Sequence, residues 1–144
     1  MSPQELKKAL ISAGFEVYRT KAEEVMLADR VRDNLILDSG VRVRAKSDAE
    51  FEVRLVMGVR KTQYPGDDEN AMFDRVRKLA EPVLKMGFDE IKTAQAPVAD
   101  PSDQSRTLDT FFDVEFGNSA PSFDDAVPLV KAAIEVAKTA ESRH

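Results

Sequence analysis

The stretch at residues 41–61, VRVRAKSDAEFEVRLVMGVRK, decides the fold class of this chain. Residues 41–46 and 51–61 both alternate apolar and charged side chains, and Ser47-Asp48-Ala49 joins them, which predicts an antiparallel hairpin. The apolar face carries Val41, Val43, Phe51, Val53, Leu55, Met57 and Val59. The other face carries Arg42, Arg44, Lys46, Glu52, Arg54 and Arg60. Such alternation is typical of an antiparallel sheet with one face on a core and the other in water.

Further elements are predicted on both sides of this hairpin. They are helix 3–13, strand 15–19, helix 68–86 with a kink at Pro82, strand 88–95, strand 108–116 and helix 122–140. Residues 96–106, APVADPSDQSR, are predicted to form a polar loop, and residues 141–144 a frayed C-terminus.

Residues 21–36, KAEEVMLADRVRDNLI, are compatible with two structures. A helix would gather four apolar side chains on one face at the expected spacing, whereas a strand would turn Asp29 and Asp33 toward the core. The helix is the preferred interpretation, and Asp38-Ser39-Gly40 is predicted to form the turn that follows it.

The resulting fold class is α+β, in a single domain spanning residues 1–144. The predicted order is α-β-α-β-β-α-β-β-α, with the second helix as the open question. We expect a twisted antiparallel sheet of about five strands, with the helices packed mainly on one of its faces.

Composition excludes several chemistries. The chain has no cysteine, so disulfides and thiol nucleophiles are excluded, and its one histidine is His144, so no histidine-based triad is expected in the fold. No metal-ligand spacing or phosphate-binding glycine loop is found, so no catalytic residue, metal or cofactor is predicted. The net charge of −5 disfavours nucleic acid and anionic membranes as partners. No apolar run approaches the roughly 20 residues of a membrane span, and a cytoplasmic location is expected.

Strand 108–116, LDTFFDVEF, extends the charged face of the hairpin. Leu108, Phe112, Val114 and Phe116 are predicted to face inward, and the alternate residues outward. Basic and acidic side chains on neighbouring strands would form cross-strand pairs worth about 0.2–1 kcal/mol each. The alternatives are a partner-binding surface, or a face covered by a second copy of the chain. The candidate partner-binding residues are Arg42, Arg44, Arg54, Arg60, Asp109, Phe111, Asp113 and Glu115.

With residues 21–36 set aside as an insertion, the element order becomes α-β-β-β-α-β-β-α. This order resembles that of type III secretion chaperone-like domains, which are small, acidic, cytosolic domains of bacteria. The resemblance covers most of the chain and rests on element order, without a sequence motif. It implies helices over one face of the sheet, dimerisation, and partner proteins bound on an exposed surface.

These observations favour a non-enzymatic protein-interaction module, that is, an adaptor, a regulator or a chaperone-like protein. Residues 1–66 carry 12 basic and 10 acidic side chains, a net charge of +2, and residues 67–144 carry 9 and 16, a net charge of −7. Opposite charges of this kind suit a protein partner or self-association as a homodimer. The alternative is a small-ligand-binding protein, or a carboxylate-dependent small enzyme, that uses a cleft between helices and sheet.

Overall fold

The structure is a computed structural model that describes residues 1–141. Its helices are α1 (Pro3–Ser12), α2 (Glu69–Leu79), α3 (Glu81–Leu84) and α4 (Phe123–Glu141), with a 3₁₀ turn at Lys61–Gln63. Its strands are β1 (Val17–Lys21), β2 (Glu24–Arg32), β3 (Leu35–Ser47), β4 (Glu50–Arg60), β5 (Asp89–Asp100) and β6 (Asp103–Ala120). Most of the segment predicted to fray, 142–144, lies outside the described residues.

The strands form one antiparallel sheet in the order β1-β2-β3-β4-β6-β5. The α+β class and the single domain are thus confirmed, and the described part of the chain has six strands rather than about five. The hairpin predicted at 41–61 is confirmed as β3 and β4. Buried and partly exposed residues alternate along β4 from Glu50 to Val59, as its sequence predicts.

The sixth strand comes from residues 21–36, where the preferred helix was the wrong interpretation. These residues form β2 and the start of β3, so they are part of the sheet and not an insertion. β2 lies between β1 and β3, and its five consecutive residues Val25–Asp29 are buried, so side chains on both of its faces are covered. Burial on both faces hides the period-two pattern, and it includes Asp29, whose charge made a strand look unfavourable.

The turn predicted at Asp38-Ser39-Gly40 is instead an irregularity inside β3. The register passes from Met26 opposite Arg42 to Ala28 opposite Asp38, so extra β3 residues face Leu27. The Ser39 hydroxyl donates to the Leu27 carbonyl oxygen at 2.7 Å and accepts from the Val41 amide at 3.1 Å. Gly40 adopts a φ of +85°, a left-handed conformation that favours glycine.

The polar loop predicted at 96–106 is also wrong, because β5 and β6 continue through it as a hairpin. Asp100 pairs with Asp103, and only Pro101 and Ser102 lie in the turn. Every β5 residue from Asp89 to Ala99 is exposed, so this strand needs no apolar side chains, and Pro97 is tolerated at a sheet edge. Leu108 was predicted to face inward, but it lies on the part of β6 that pairs only with β5, and it is 47% exposed.

The helix predicted at 68–86 is interrupted at Ala80, two residues before Pro82. The proline lies in the first turn of α3. The hydrophobic core contains side chains from all four helices and from the sheet. Within it, Phe112 packs edge-on against Phe73 of α2, with ring centroids 5.3 Å apart, and Phe51 packs against Phe123 of α4, with ring centroids 6.2 Å apart. No helix within residues 1–141 combines the length and apolarity of a membrane span.

Candidate functional site

The outer face of the sheet, defined as the face opposite the core, brings together most of the predicted site residues. Across β3 and β4, Arg42 lies opposite Arg54 and Arg44 opposite Glu52. Across β4 and β6, Arg60 lies opposite Phe111, Gly58 opposite Asp113 and Val56 opposite Glu115. The predicted residues therefore share one surface, but they differ in how many contacts they already make within the chain.

Arg54 lies at the centre of an ion-pair network on this face. Its guanidinium contacts the carboxylate of Glu115 at 2.8 Å, that of Glu52 at 3.4 Å, and that of Glu24. The Glu115 side chain is only 8% exposed, and that of Arg54 is 24% exposed. Glu52 also contacts Lys46 at 3.0 Å and Arg44 at 3.6 Å. Arg44, Arg54 and Glu115 are thus held in cross-strand pairs, which gives them a role in the fold.

Arg42 is held by a different partner, Asp38 at the β3 irregularity. Its two terminal nitrogens donate to the two carboxylate oxygens of Asp38 at 2.7 and 2.8 Å, a fork that fixes both side chains. Partial burial acts to raise the pKa of Asp38, but hydrogen bonds from Arg42 and from the Gly40 amide outweigh it, so the pKa is lowered. This pair stabilises the irregular backbone beside Gly40.

Asp109 is also occupied within the chain, because it anchors the 3₁₀ turn to β6. Its carboxylate accepts from the Thr62 hydroxyl at 2.8 Å and from the Thr62 amide at 3.1 Å. Desolvation acts to raise its pKa, but these bonds and that from the Thr110 amide lower it overall. Asp109 therefore stabilises the contact between the 3₁₀ turn and β6, and its carboxylate is not free to bind a partner.

Three predicted site residues make no ion pair or side-chain hydrogen bond within the described part of the chain: Arg60, Phe111 and Asp113. The charge of Arg60 does help to lower the pKa of Asp109. Asp113 is partly buried over Gly58, and burial raises the pKa of its carboxyl. Phe111 is partly exposed beside them. This corner offers one cation, one anion and one aromatic ring to a partner.

Asp113→Asn is expected to raise the free energy of unfolding at pH 7 by up to about 0.5 kcal/mol, because it removes a desolvated charge that solvent partly screens. A raised folded-state pKa penalises the folded state above that pKa, so the advantage should vanish as the pH falls below the ordinary value of 3.8. Urea unfolding of both proteins at pH 7 and pH 3.5 measures the difference. Lower stability of the variant at pH 7 would reveal a stabilising partner for Asp113.

The β2–β3 ribbon, residues 28–38, lies at the same end of the sheet as this corner. Val41 pairs with Leu55 and Leu55 with Phe116, so residues before 41, after 55 and before 116 all lie toward one end. Beyond that register, β2 and β3 pair only with each other. Four aliphatic side chains of the ribbon are exposed: Val31 at 47%, Leu35 at 41%, Ile36 at 38% and Leu37 at 41%.

Sequence reasoning missed the ribbon, the carboxylates of Glu24 and Asp38 on the outer face, and the contact between Glu52 and Arg54. Glu24 was hidden because its strand was interpreted as a helix, and Asp38 because its irregular strand was interpreted as a turn. Glu52 was recognised on the charged face, but its contact with Arg54 depends on side-chain geometry. No cluster of three or more potential metal-ligating side chains occurs in the described part of the chain.

The similarity of this chain to known proteins concerns its fold alone. No protein-family model matches the chain, and no curated protein matches it significantly. The crystal structure of an uncharacterized protein from Methanothermobacter thermautotrophicus is similar over 99% of this chain and 96% of that chain, with a TM-score of 0.51 and 10% identity. This likeness shows a shared fold, and a fold does not determine function. The resemblance to type III secretion chaperone-like domains stays a prediction. The described part of this chain has six strands, one more than the element order on which the resemblance rests.

Proposed function

We propose that this chain is a non-enzymatic protein-interaction module, acting as an adaptor, a regulator or a chaperone-like protein. The observation that carries the proposal is the run Leu35-Ile36-Leu37, three consecutive aliphatic residues exposed on the β2–β3 ribbon. Exposed apolar runs of this length are unfavourable in water unless something binds them. A two-stranded ribbon without further strands is also only marginally stable alone, so a partner would stabilise it.

The polar part of the proposed surface is the corner of the outer face that contains Arg60, Phe111 and Asp113. Arg60 and Asp113 have no ion-pair partner within residues 1–141, and Phe111 lies opposite Arg60. An apolar centre with polar groups nearby is the usual composition of a protein interface. We also infer that the helices pack mainly on the core face, since their buried side chains cluster there, which would leave the outer face open.

The triple substitution Leu35→Ser, Ile36→Ser and Leu37→Ser tests the proposal. We expect partner recovery to fall at least about tenfold, because central apolar anchors dominate interface energetics. The tagged wild type and variant are used for affinity capture from cells of the source organism, with quantitative mass spectrometry. Light scattering on the purified proteins determines whether the partner is a second copy.

The matched control is the double substitution Ile11→Ser and Met86→Ser, which removes exposed aliphatic side chains far from the ribbon in sequence, 51% and 42% exposed. The control should recover the partner as well as the wild type does. Equal recovery by wild type, ribbon variant and control would contradict the proposal. So would a monomeric wild type that captures no stoichiometric partner.

A further inference from the structure

A cleft of about 420 Å³ separates α4 from the first strands of the sheet. Phe15, Ala28 and Ile134 supply apolar lining, and Arg30, Lys131 and Lys138 supply positive charge. The volume falls within the range of small-molecule sites, and an apolar cavity with a few polar groups is their usual composition. The cleft lies between helix and sheet, where the sequence allowed for a small-ligand site as the alternative to a protein surface.

The positive charges of the cleft are unevenly neutralised. Arg30 is occupied, since its guanidinium pairs with the Glu16 carboxylate and donates to the Asp33 carbonyl oxygen at 2.6 Å. Lys131 and Lys138 form no ion pair and no side-chain hydrogen bond with the described residues. Glu16 and Glu135 also line the cleft, so its three basic and two acidic side chains give a net charge of +1, in a chain whose net charge is −5.

The spacing of the two lysines places them at opposite ends of the cleft. Seven residues correspond to two helical turns, so both lie on the same side of α4, about 10.5 Å apart along its axis. Ile134 lies between them in sequence and also lines the cleft. Glu135, the acidic residue between the lysines, also lines a separate apolar groove with Pro82 and Met86, so it lies on the ridge between the two depressions.

We propose that this cleft binds an amphipathic organic anion, a small molecule with an apolar body and a carboxylate, sulfonate or phosphate group. The body would lie against Phe15 and Ile134, where it is removed from water. The anionic group would pair with Lys131 or Lys138, both of which are available to a ligand. Ala28 and Arg30 belong both to the cleft lining and to the β2–β3 ribbon, but Lys131 and Lys138 lie on α4, so substituting the lysines tests the cleft without changing the ribbon.

The test uses 8-anilinonaphthalene-1-sulfonate, an apolar anion that fluoresces when it leaves water, titrated into the intact protein. We expect saturable binding of one molecule per chain, weakened by added salt. The double substitution Lys131→Glu and Lys138→Glu should raise the Kd at least about tenfold, because it turns attraction into repulsion. Both side chains are exposed, so circular dichroism should show an unchanged fold.

Two control variants make the titration specific to the cleft. Lys7→Glu with Lys8→Glu makes the same charge change on exposed positions of α1. Val98→Ser with Leu108→Ser removes exposed aliphatic side chains from the β5–β6 hairpin, at the opposite edge of the sheet from β1 and β2. Both controls should leave the Kd within about twofold of the wild type. A wild type that binds no probe up to millimolar concentration overturns the proposal. So does an equal loss of binding in either control, or an unchanged Kd in the cleft variant.

Discussion

Gly40→Ala is expected to lower the free energy of unfolding by about 3 kcal/mol or more. Two costs add at this position. An alanine in the left-handed conformation, with φ at +85°, costs about 1–2 kcal/mol. A Cβ atom here would also lie 2.2 Å from the Val56 carbonyl oxygen, and a backbone atom yields less easily than a side chain.

Gly14→Ala is the matched control that separates these two costs. Gly14 also has a left-handed φ, +98°, but a Cβ atom there would meet nothing within 4 Å. Urea unfolding should therefore show a loss of only about 1–2 kcal/mol for Gly14→Ala, which is the conformational cost alone. Equal losses at the two positions would mean that β3 and β4 do not approach each other closely at Gly40.

Arg54→Met is expected to cost about 3 kcal/mol, at the lower end of the range for removing one partner of a buried ion pair. The substitution leaves Glu24, Glu52 and the 8%-exposed Glu115 close together without the central cation. Methionine keeps much of the apolar stem of the arginine, so the loss reports mainly on charge. Equilibrium denaturation at pH 7 measures it.

A double-mutant cycle assigns this cost to the network. Adding Glu115→Gln should recover part of the stability lost in Arg54→Met, because it removes the carboxylate that is most deeply buried. The control Arg77→Met breaks exposed pairs with Glu90 and Asp74 and should cost about 0.5 kcal/mol. Additive losses in Arg54→Met and Glu115→Gln would show that the two residues do not interact.

The parts of the fold with a clear hydrophobic periodicity were predictable, because there an apolar residue indicates a buried position and a polar residue an exposed one. The β3–β4 hairpin and β6 from Phe112 to Phe116 alternate apolar and polar side chains, with the apolar ones in the core. Along β4 the other side chains are partly exposed, whereas Glu115 of β6 is buried in its contact with Arg54. Terminal helices α1 and α4 carry an apolar face at helical spacing, and α1 has a capping box at Ser2 and Glu5. These signals are local, so no knowledge of neighbouring strands was needed.

The sequence by itself therefore determined the α+β class, the central hairpin and which charges share the outer face. Only the tertiary structure decided that residues 21–36 form a strand, because burial of β2 on both faces erases its periodicity. It also decided which charges are free: Arg42 is neutralised by Asp38, whereas Arg60 and Asp113 have no ion-pair partner within residues 1–141. Such pairing depends on strand register and side-chain distance, which no single segment of sequence specifies.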